Sequence, residues 1–270
     1  MSEGATFADV IEGRTRWSLE RCNALARLLD MPDASVDAVI TDMPYSSGGF
    51  TRGDRMTTPS DKYEQSGQKL HRLDFAGDNR DQHAFGYWCA LWLAECLRVA
   101  KPGSPICLFT DWRQLPTVTD ALQAGGWVWR GIVPWDKTEG ARPCRGRFTA
   151  QCEYVVWGSA GEMPLERGVG CLPGFVRAFP RPSEKRHLTG KTPRVMLEVN
   201  AITSPGGIIL DPFAGGCSGG VAAQRAGYRW IGFEITESNF AEGLAWMLAE
   251  EHENTPEAAR EGQASLPFAR

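Results

Sequence analysis

Short apolar runs rich in β-branched residues recur along this chain and alternate with segments of helical periodicity. Three such runs, at residues 36–41, 105–110 and 208–210, are apolar almost throughout, which is typical of strands buried on both faces of a sheet. Apolar residues at helical spacing mark segments 85–99 and 218–226. This alternation predicts an α/β fold with a twisted, mostly parallel, doubly wound sheet.

Four further elements are expected on similar grounds. Aromatic and β-branched residues predict strands at residues 127–134, 154–158 and 228–235. Apolar residues at helical spacing between Leu19 and Leu29 predict a short amphipathic helix. These elements extend the alternation over most of the sequence.

Two stretches do not follow the alternation. Residues 46–72 are polar and contain several glycines, and loops of that length tend to be functional or disordered. Residues 139–191 contain five prolines, and residues 139–186 are expected to form a small irregular insert. Because 270 residues suit one domain of ordinary size, a single domain at residues 1–270 that carries this insert is expected.

The composition argues against several other classes of protein. It is 42% hydrophobic and 23% charged, as in ordinary soluble proteins, and no apolar run approaches the ~20 residues needed to span a bilayer. Residues 1–6 carry no basic segment followed by an apolar one, so a cytoplasmic protein without a secretory signal is expected. The eight cysteines form no C-x-x-C pair, so free thiols are expected and no metal site.

The charge is unevenly distributed. The net charge is −4, yet residues 130–194 contain twelve Lys or Arg residues and only six Asp or Glu residues. A basic segment of this kind can contact nucleic acid. A charged run is more often a solvated face, so this segment alone does not identify a partner.

The first candidate site follows the predicted strand 36–41. Asp42 offers a carboxylate, Tyr45 offers an aromatic ring with a polar tip, and Pro44 makes Met43 extended and fixes the direction of its carbonyl. Ligand-binding residues of open α/β sheets lie at the carboxyl ends of strands. These residues could bind a planar amine, although they also fit an ordinary strand followed by a proline-containing turn.

The second candidate site is a glycine-rich loop between a predicted strand and a predicted helix, at residues 211–220. Its glycines allow a ligand close to the backbone, and a helix N-terminus favours negative groups. Glu234 lies nineteen residues after Gly215, and an acid at about that distance typically bonds ribose hydroxyls. The pattern indicates a nucleoside-containing cofactor, and since the loop does not match G-x-G-x-x-G, a dehydrogenase is disfavoured.

Together these motifs resemble those of the amino-methylating DNA methyltransferases, which act on N6 of adenine or N4 of cytosine. Residues 42–45 resemble the family's catalytic Asp-Pro-Pro-Tyr, and residues 211–219 resemble its Asp-Pro-Phe-x-Gly-x-Gly cofactor motif. The catalytic motif comes first, as in the family's β group. Other landmarks follow in the family's order, at residues 98–103, 135–137, 153–157 and 187–193.

The resemblance implies the S-adenosylmethionine-dependent methyltransferase fold and S-adenosylmethionine as the cofactor. Glu234 is implied to bind its ribose, and Thr189 and Lys191 to help hold its methionine end. The remaining cofactor-binding residues expected from the resemblance lie in the glycine-rich loop: Asp211, Phe213, Ala214, Gly215, Gly216 and Gly219.

The resemblance also implies a mechanism and a partner, double-stranded DNA. The target base must be flipped out of the duplex. Tyr45 would then stack on it, while Asp42 and the Met43 carbonyl orient its amino group. The DNA contacts are expected from basic residues of the 139–186 segment: Arg142, Arg145, Arg147, Arg177, Arg181, Lys185 and Arg186.

Several positions depart from the family pattern. Met43 replaces the first proline of the catalytic motif, Thr192 is inserted before Pro193, and Gly216 and Cys217 replace a commoner Ser-Gly. At residues 21–22, Arg-Cys stands where the family often has Gly-Asp, so an acid expected near the adenine of the cofactor is missing. A catalytically inactive DNA-binding protein of the same fold therefore stays an alternative.

The preferred target is N6 of adenine within a specific DNA sequence, as in restriction-modification systems. In the β group of the resembled family, Asp at the first motif position, here Asp42, goes more often with adenine and Ser with cytosine. N4 of cytosine stays an alternative, because both amines offer two N–H donors to the same acceptors. RNA and a glutamine side chain of protein are rival substrates. A homodimer is a further open alternative, and the sequence identifies no nuclease partner.

Overall fold

The computed structural model describes residues 4–45, 80–141, 143, 145–179 and 191–251. Within these residues, eight strands form one sheet in the order β1–β8–β7–β2–β3–β5–β4–β6. The strands are β1 (Trp17–Arg21), β2 (Ala38–Thr41), β3 (Pro105–Thr110), β4 (Val128–Asp136), β5 (Cys152–Ser159), β6 (Val176–Arg177), β7 (Ile208–Asp211) and β8 (Arg229–Glu234).

Most neighbouring strands of this sheet are parallel. The exception is β5, which is antiparallel to both β3 and β4, whereas the other five pairings are parallel. Every residue of β2, β3 and β7 is buried. The prediction of buried strands in a mostly parallel sheet is therefore confirmed.

Helices cover both faces of the sheet. Those described are α1 (Phe7–Ile11), α2 (Ala24–Leu29), α3 (Gln82–Val99), α4 (Leu115–Ala124), α5 (Pro193–Asn200), α6 (Ser218–Arg225) and α7 (Glu237–Glu251). One apolar cluster contains buried residues of α1 to α4, and a second contains buried residues of α5 to α7. This division confirms the doubly wound arrangement, and none of the described helices is long and apolar enough to cross a membrane.

The predicted helix between Leu19 and Leu29 is wrong in its first half. Trp17–Arg21 forms strand β1, which pairs in parallel with β8 along its whole length. The helix begins only at Ala24, where the Asn23 side chain accepts hydrogen bonds from the first turn of the helix. The helix prediction failed here because Leu19 is buried by sheet packing. Apolar spacing alone does not distinguish burial in a sheet from burial on a helix.

The predicted insert at 139–186 is not one irregular segment. Its residues 152–159 are strand β5, which lies between β3 and β4 in the main sheet. Among the described residues of this segment, those on either side of β5 are irregular, apart from the two residues of β6. Residues 142, 144 and 180–190 lie outside the described residues, as does the predicted loop at 46–72.

The strand order creates a crevice at the carboxyl ends of β2 and β7. The chain continues from β2 to β3 on one side of this pair and from β7 to β8 on the other, while β2 and β7 are themselves neighbours. Such a reversal of strand order leaves an open crevice where ligands of α/β proteins bind. Both candidate motifs begin at this crevice, one directly after each strand.

Candidate active site

Residues 42–45 leave the carboxyl end of β2 and enter the crevice. The Met43 side chain is only 1% exposed and packs into the apolar cluster of α1 to α4. This residue therefore fills core space at the position where the family pattern has a proline. Tyr45 packs against the same cluster through its apolar part, which leaves the Asp42 carboxylate as the charged group of the motif.

Lys191 joins the catalytic motif to the sheet. Its ammonium lies 2.9 Å from Asp42 Oδ1 and 3.0 Å from Glu153 Oε2, and the side chain is 2% exposed. It also donates a hydrogen bond of 3.3 Å to the Tyr45 hydroxyl, which in turn donates one of 3.4 Å to Glu153 Oε2. Lys137 lies 3.2 Å from the other oxygen of Glu153. Carboxylates and ammonium groups thus alternate across the site.

Three aromatic rings surround the Lys191 ammonium. The centroids of the Tyr45, Phe109 and Trp135 rings lie 5.3, 5.4 and 5.8 Å from Nζ, within the range of cation–π attraction. The Trp135 indole is held by a 2.9 Å hydrogen bond to the Ala178 carbonyl. These contacts offset part of the cost of burying the ammonium away from water.

The protonation states in this cluster follow from the pairing. Burial opposes the charge of Lys191, but Asp42 and Glu153 outweigh it and raise the pKa of the ammonium well above its ordinary value. Burial likewise opposes ionisation of Glu153, yet Lys191 and Lys137 bring its pKa to about 2. Burial and the adjacent Glu153 raise the pKa of Tyr45 well above 10. At neutral pH the cluster therefore holds a charged lysine, an ionised glutamate and a neutral tyrosine.

Asp211 ends β7 and links the two motifs. The Thr41 hydroxyl donates a 2.6 Å hydrogen bond to Asp211 Oδ1, and the Phe213 backbone N–H donates one of 3.2 Å to the same oxygen. Burial, only partly offset by these neutral donors, raises the pKa of the Asp211 carboxyl to about 7. The catalytic motif and the glycine-rich loop are thus directly hydrogen-bonded through their strands.

Glu234 holds the glycine-rich loop in place. One carboxylate oxygen accepts a 2.9 Å hydrogen bond from the Gly215 backbone N–H, and the other accepts one of 2.7 Å from Thr236. Gly215 has a φ of +50°, and a Cβ there would meet no atom within 4 Å, so its outer side is open. Cys217 begins α6 with a φ of +63° and is buried against Gly243, where a Cβ would collide with its sulfur.

Phe213 lies near the beginning of this loop, and Gly219 lies in the first turn of α6. The Phe213 ring packs against Trp88 and Trp92, with centroids 5.3 and 5.1 Å apart. A Cβ on Gly219 would lie 3.1 Å from Asp211 Oδ2, so glycine allows α6 to approach the end of β7. Ala214 donates a backbone hydrogen bond of 2.9 Å to the Phe233 carbonyl.

The predicted DNA-contacting residues are only partly described. Arg145 and Arg147 are exposed in the connection between β4 and β5, beside Phe148, which is fully exposed. Arg177 lies on the edge strand β6 and is paired with Glu139 at 2.7 Å and Asp136 at 3.6 Å. The other predicted contacts lie outside the described residues, as does Thr189: Arg142, Arg181, Lys185 and Arg186.

Two members of the site were missed by sequence reasoning as functional groups. Lys137 follows β4 directly and Glu153 stands near the beginning of β5. The available signal was a charged residue next to each predicted strand. It was not decisive, because the antiparallel direction of β5, which places its beginning at the crevice, cannot be read from apolar residues alone.

Comparisons with known proteins agree with this geometry. A family model described as DNA methylase, of the N6/N4 type, matches residues 36–168 and 175–243. The chain is 26% identical over 220 residues to the methylase YubD of Escherichia coli K12, which covers 81% of this chain and 84% of that protein. It is 24% identical over 234 residues to the type II methyltransferase M.HinfI of Haemophilus influenzae, covering 78% and 63%.

Solved structures share the fold. A DNA modification methylase of Thermus thermophilus, complexed with S-adenosyl-L-methionine, superposes with a TM-score of 0.61 at 19% identity and covers 87% of this chain and 96% of that one. The PvuII DNA methyltransferase, described as cytosine-N4-specific, gives 0.65 at 14% identity and covers 92% and 94%.

The family match has two consequences. Proteins of the matched family depend on S-adenosylmethionine, which confirms the cofactor predicted from the sequence. The matched residues make up well over half of the sequence and include both motifs at the crevice. The chain therefore belongs to the N6/N4 DNA methylase family.

Proposed function

We propose that this protein transfers a methyl group from S-adenosylmethionine to N6 of adenine within a specific sequence of double-stranded DNA. One observation carries the proposal: Thr41, next to the amine-binding carboxylate Asp42, is hydrogen-bonded to Asp211 at the start of the glycine-rich loop. The contact brings Asp42, the proposed acceptor for the amine, close to a loop suited to a nucleoside cofactor, which supports the proposal. Methyl donor and amine could therefore meet in one crevice.

The residues of the loop fit this cofactor. S-adenosylmethionine carries a sulfonium and an ammonium, and the crevice contains the carboxyl groups of Asp42, Asp211 and Glu234. The open side of Gly215 admits a ligand close to the backbone. We assign the ribose to Glu234 and the remaining contacts to the loop residues named above. When bound, the cofactor supplies an electrophilic methyl group.

The chain itself contributes positioning and electrostatics. A flipped base would place its amino group where Asp42 and the Met43 carbonyl accept its two N–H bonds, and its ring on the face of Tyr45. Pro44 restricts the backbone between these groups. Such orientation of two reactants can supply a large part of the rate enhancement. The Lys191 and Glu153 contacts to the Tyr45 hydroxyl hold that ring in one position.

The connection between β4 and β5 is proposed as part of the DNA contact. It leaves the site at Lys137, which is bound to Glu153, and it presents the exposed guanidinium groups of Arg145 and Arg147. Basic side chains next to a base pocket favour contact with phosphates. Arg177 is a weaker candidate, since two acids already neutralise it.

N4 of cytosine is the second candidate target. A cytosine-N4-specific enzyme has a similar fold, and Asp42 offers the same acceptors to either amine. The aspartate at this position favours adenine, on the resemblance given above. Met43 does not favour an inactive protein, because its buried side chain packs into the core and the backbone carbonyl proposed as an acceptor does not depend on the side chain.

Nucleoside mass spectrometry tests this proposal. Duplex DNA is incubated with the purified protein and S-adenosylmethionine, digested to nucleosides, and compared with DNA treated with the Asp42→Ala variant. N6-methyladenine that depends on Asp42 is the expected product. N4-methylcytosine alone would overturn the choice of base, and neither product, with a folded protein that binds the cofactor, would overturn the proposed activity on DNA.

A further inference from the structure

Lys191 stands at the centre of an alternating chain of charges. Its ammonium contacts Asp42 on one side and Glu153 on the other, and Lys137 occupies the far oxygen of Glu153. The residue comes from the segment before α5, while Glu153 comes from β5. Three separate parts of the chain therefore form a charged network that reaches Asp42, the carboxylate that would bind the target amine, through Lys191.

A purely structural explanation for this ammonium is weak. Burying an ion pair costs desolvation that its own attraction hardly repays, and an apolar side chain of similar volume often serves folding equally well. Here the side chain is 2% exposed and is surrounded by the rings of Tyr45, Phe109 and Trp135. An apolar side chain would also pack against these rings. A charge at this position is better explained by what it does to Asp42.

We propose that Lys191, held by Glu153, is a positioning residue that keeps Asp42 ionised and correctly oriented as the acceptor for the target amine. The inference rests on the proposed function, since it deepens the role of the same site. An ionised Asp42 accepts an N–H bond from the base, whereas a protonated Asp42 would compete as a donor. The same ammonium fixes the Tyr45 hydroxyl, so one residue sets both the acceptor and the stacking ring.

This assignment differs from the role implied by the family resemblance, in which the lysine helps hold the methionine end of the cofactor. The contacts recorded for the Lys191 ammonium are with the carboxylates of Asp42 and Glu153, the Tyr45 hydroxyl and three aromatic rings. All of these belong to the amine side of the crevice. The two roles therefore predict different effects of removing the lysine. The positioning role predicts a loss of methyl transfer, whereas the cofactor role predicts a loss of affinity for S-adenosylmethionine.

The charged groups around Asp42 determine what removal of the lysine does. Lys191 is a cation in direct contact with it, while Glu153 lies on the far side of that ammonium and Asp211 lies across the crevice. Tyr45 is neutral at ordinary pH. Removing Lys191 would take this ammonium away from Asp42, while the two neighbouring carboxyl groups of Glu153 and Asp211 would remain. Its protonation would then become easier, and activity at low pH would be lost first.

The test is Lys191→Met, which keeps the length of the side chain and removes its charge. The Asp42 carboxyl is titrated by carbon-13 NMR of the labelled protein, with its signal assigned by its absence in Asp42→Asn. We expect the Asp42 pKa to rise by about one unit or more and kcat at pH 7 to fall about 100-fold. The acid limb of the pH profile of kcat should shift to higher pH as the Asp42 pKa rises. Part of the lost kcat should therefore be recovered at higher pH.

Glu153→Gln provides a second variant with a smaller change. It keeps the shape of the side chain and leaves Lys191 with Asp42 as its charged partner, so kcat should fall less than in Lys191→Met and KM for DNA should change little. Lys101→Met is the matched control. Lys101 forms a 2.7 Å ion pair with Asp37, which precedes β2 and so lies at the opposite end of that strand from Asp42. It should leave the acid limb and the Asp42 titration unchanged.

Each outcome decides between the roles. An Asp42 pKa that is the same in wild type and in Lys191→Met would overturn the positioning role. So would a calorimetric loss of S-adenosylmethionine affinity in Lys191→Met as large as the loss of kcat, which would return the lysine to the cofactor. If the wild type methylates no DNA while the Asp42 pKa still rises in Lys191→Met, the proposed function fails and the electrostatic assignment stands. If Lys191→Met does not fold, Lys191→Gln, which also removes the charge, replaces it in the same tests.

Discussion

Asp42 directly follows β2 and Asp211 ends the neighbouring parallel strand β7, so both face the same crevice, yet their surroundings are opposite. Asp42 lies 2.9 Å from the ammonium of Lys191. The hydrogen bonds recorded for Asp211 come from a hydroxyl and a backbone N–H, and within the described residues no ion pair with it is recorded. Burial consequently raises the pKa of Asp211 to about 7.

The difference indicates a division of function between the two carboxyl groups. Asp42 already has a cationic partner from the protein, so it can accept an N–H bond from a neutral amine without attracting a second cation. Asp211 has only neutral donors among its recorded partners, and a cationic ligand would favour its ionised form. The same residue type thus suits the base in one position and the cofactor in the other.

The strongest test of this division is Asp42→Ala. We expect methyl transfer to fall by about 1,000-fold or more, since loss of one acceptor for the reacting group typically costs 10²–10³ and the orientation of the amine is lost as well. The dissociation constants for DNA and S-adenosylmethionine should stay within a few-fold of wild type. Activity is measured with radiolabelled cofactor, and binding by fluorescence anisotropy and calorimetry.

The control for that experiment is Asp37→Ala, which removes a carboxylate from the opposite edge of the sheet. Asp37 pairs with Lys101 and accepts a backbone bond from Ile208, so its loss should lower thermal stability without selective loss of transfer. If Asp42→Ala weakened DNA binding as much as catalysis, Asp42 would be a structural residue and the division would not hold.

The parts of this site that could be read from the sequence are those determined by local pattern. Asp42 and Asp211 directly follow buried strands, and parallel strands bring their carboxyl ends to one edge. Lys191 was identified through its motif, but its partner Tyr45 lies 146 residues away along the chain, and no local rule gives that contact. Strand β1 was missed because its pairing with β8, and not its own apolar spacing, makes it a strand.

A second prediction separates DNA affinity from both carboxyl groups. Neutralising Arg142, Arg145 and Arg147 together should weaken DNA binding about 10- to 100-fold at moderate salt and reduce the slope of log K against log salt by about 2 to 3. S-adenosylmethionine affinity should not change, because Arg145 and Arg147 are exposed in the connection between β4 and β5 and do not belong to the glycine-rich loop. Anisotropy titrations at several salt concentrations measure the slope. An unchanged slope would place the DNA surface elsewhere.

A third prediction addresses the neutral surroundings of Asp211. Asp211→Asn removes a buried charge while keeping an oxygen for Thr41, and we expect S-adenosylmethionine to bind about tenfold more weakly. Stability should change in the opposite direction. Because the folded-state pKa is raised from 3.8 to about 7, the stabilisation by this carboxyl is full only below the unfolded pKa and is lost as pH rises from there through 7.

The variant should therefore melt higher than wild type at pH 8 by a few degrees, about 2–4 °C for each kcal/mol, and nearly equally at pH 4. Thermal unfolding at the two pH values measures this difference. Equal melting temperatures at pH 8 would mean that the wild-type carboxylate is already compensated by a cation of the protein, which would remove the contrast with Asp42.

The last and smallest effect is proton release on cofactor binding. At pH 7 a carboxyl with a pKa of about 7 is about half protonated, and a cation bound beside Asp211 would favour its ionised form. Binding should release a fraction of a proton at pH 7 and almost none at pH 8.5, and the dissociation constant should rise as pH falls below 7, by at most about tenfold per unit. Calorimetry in phosphate and in Tris, which differ in ionisation enthalpy, gives the number of protons directly, and Asp211→Asn should abolish the release. Binding without proton release at pH 7 would place the cationic groups of the cofactor away from Asp211, and Glu234 would then be the acid that they contact.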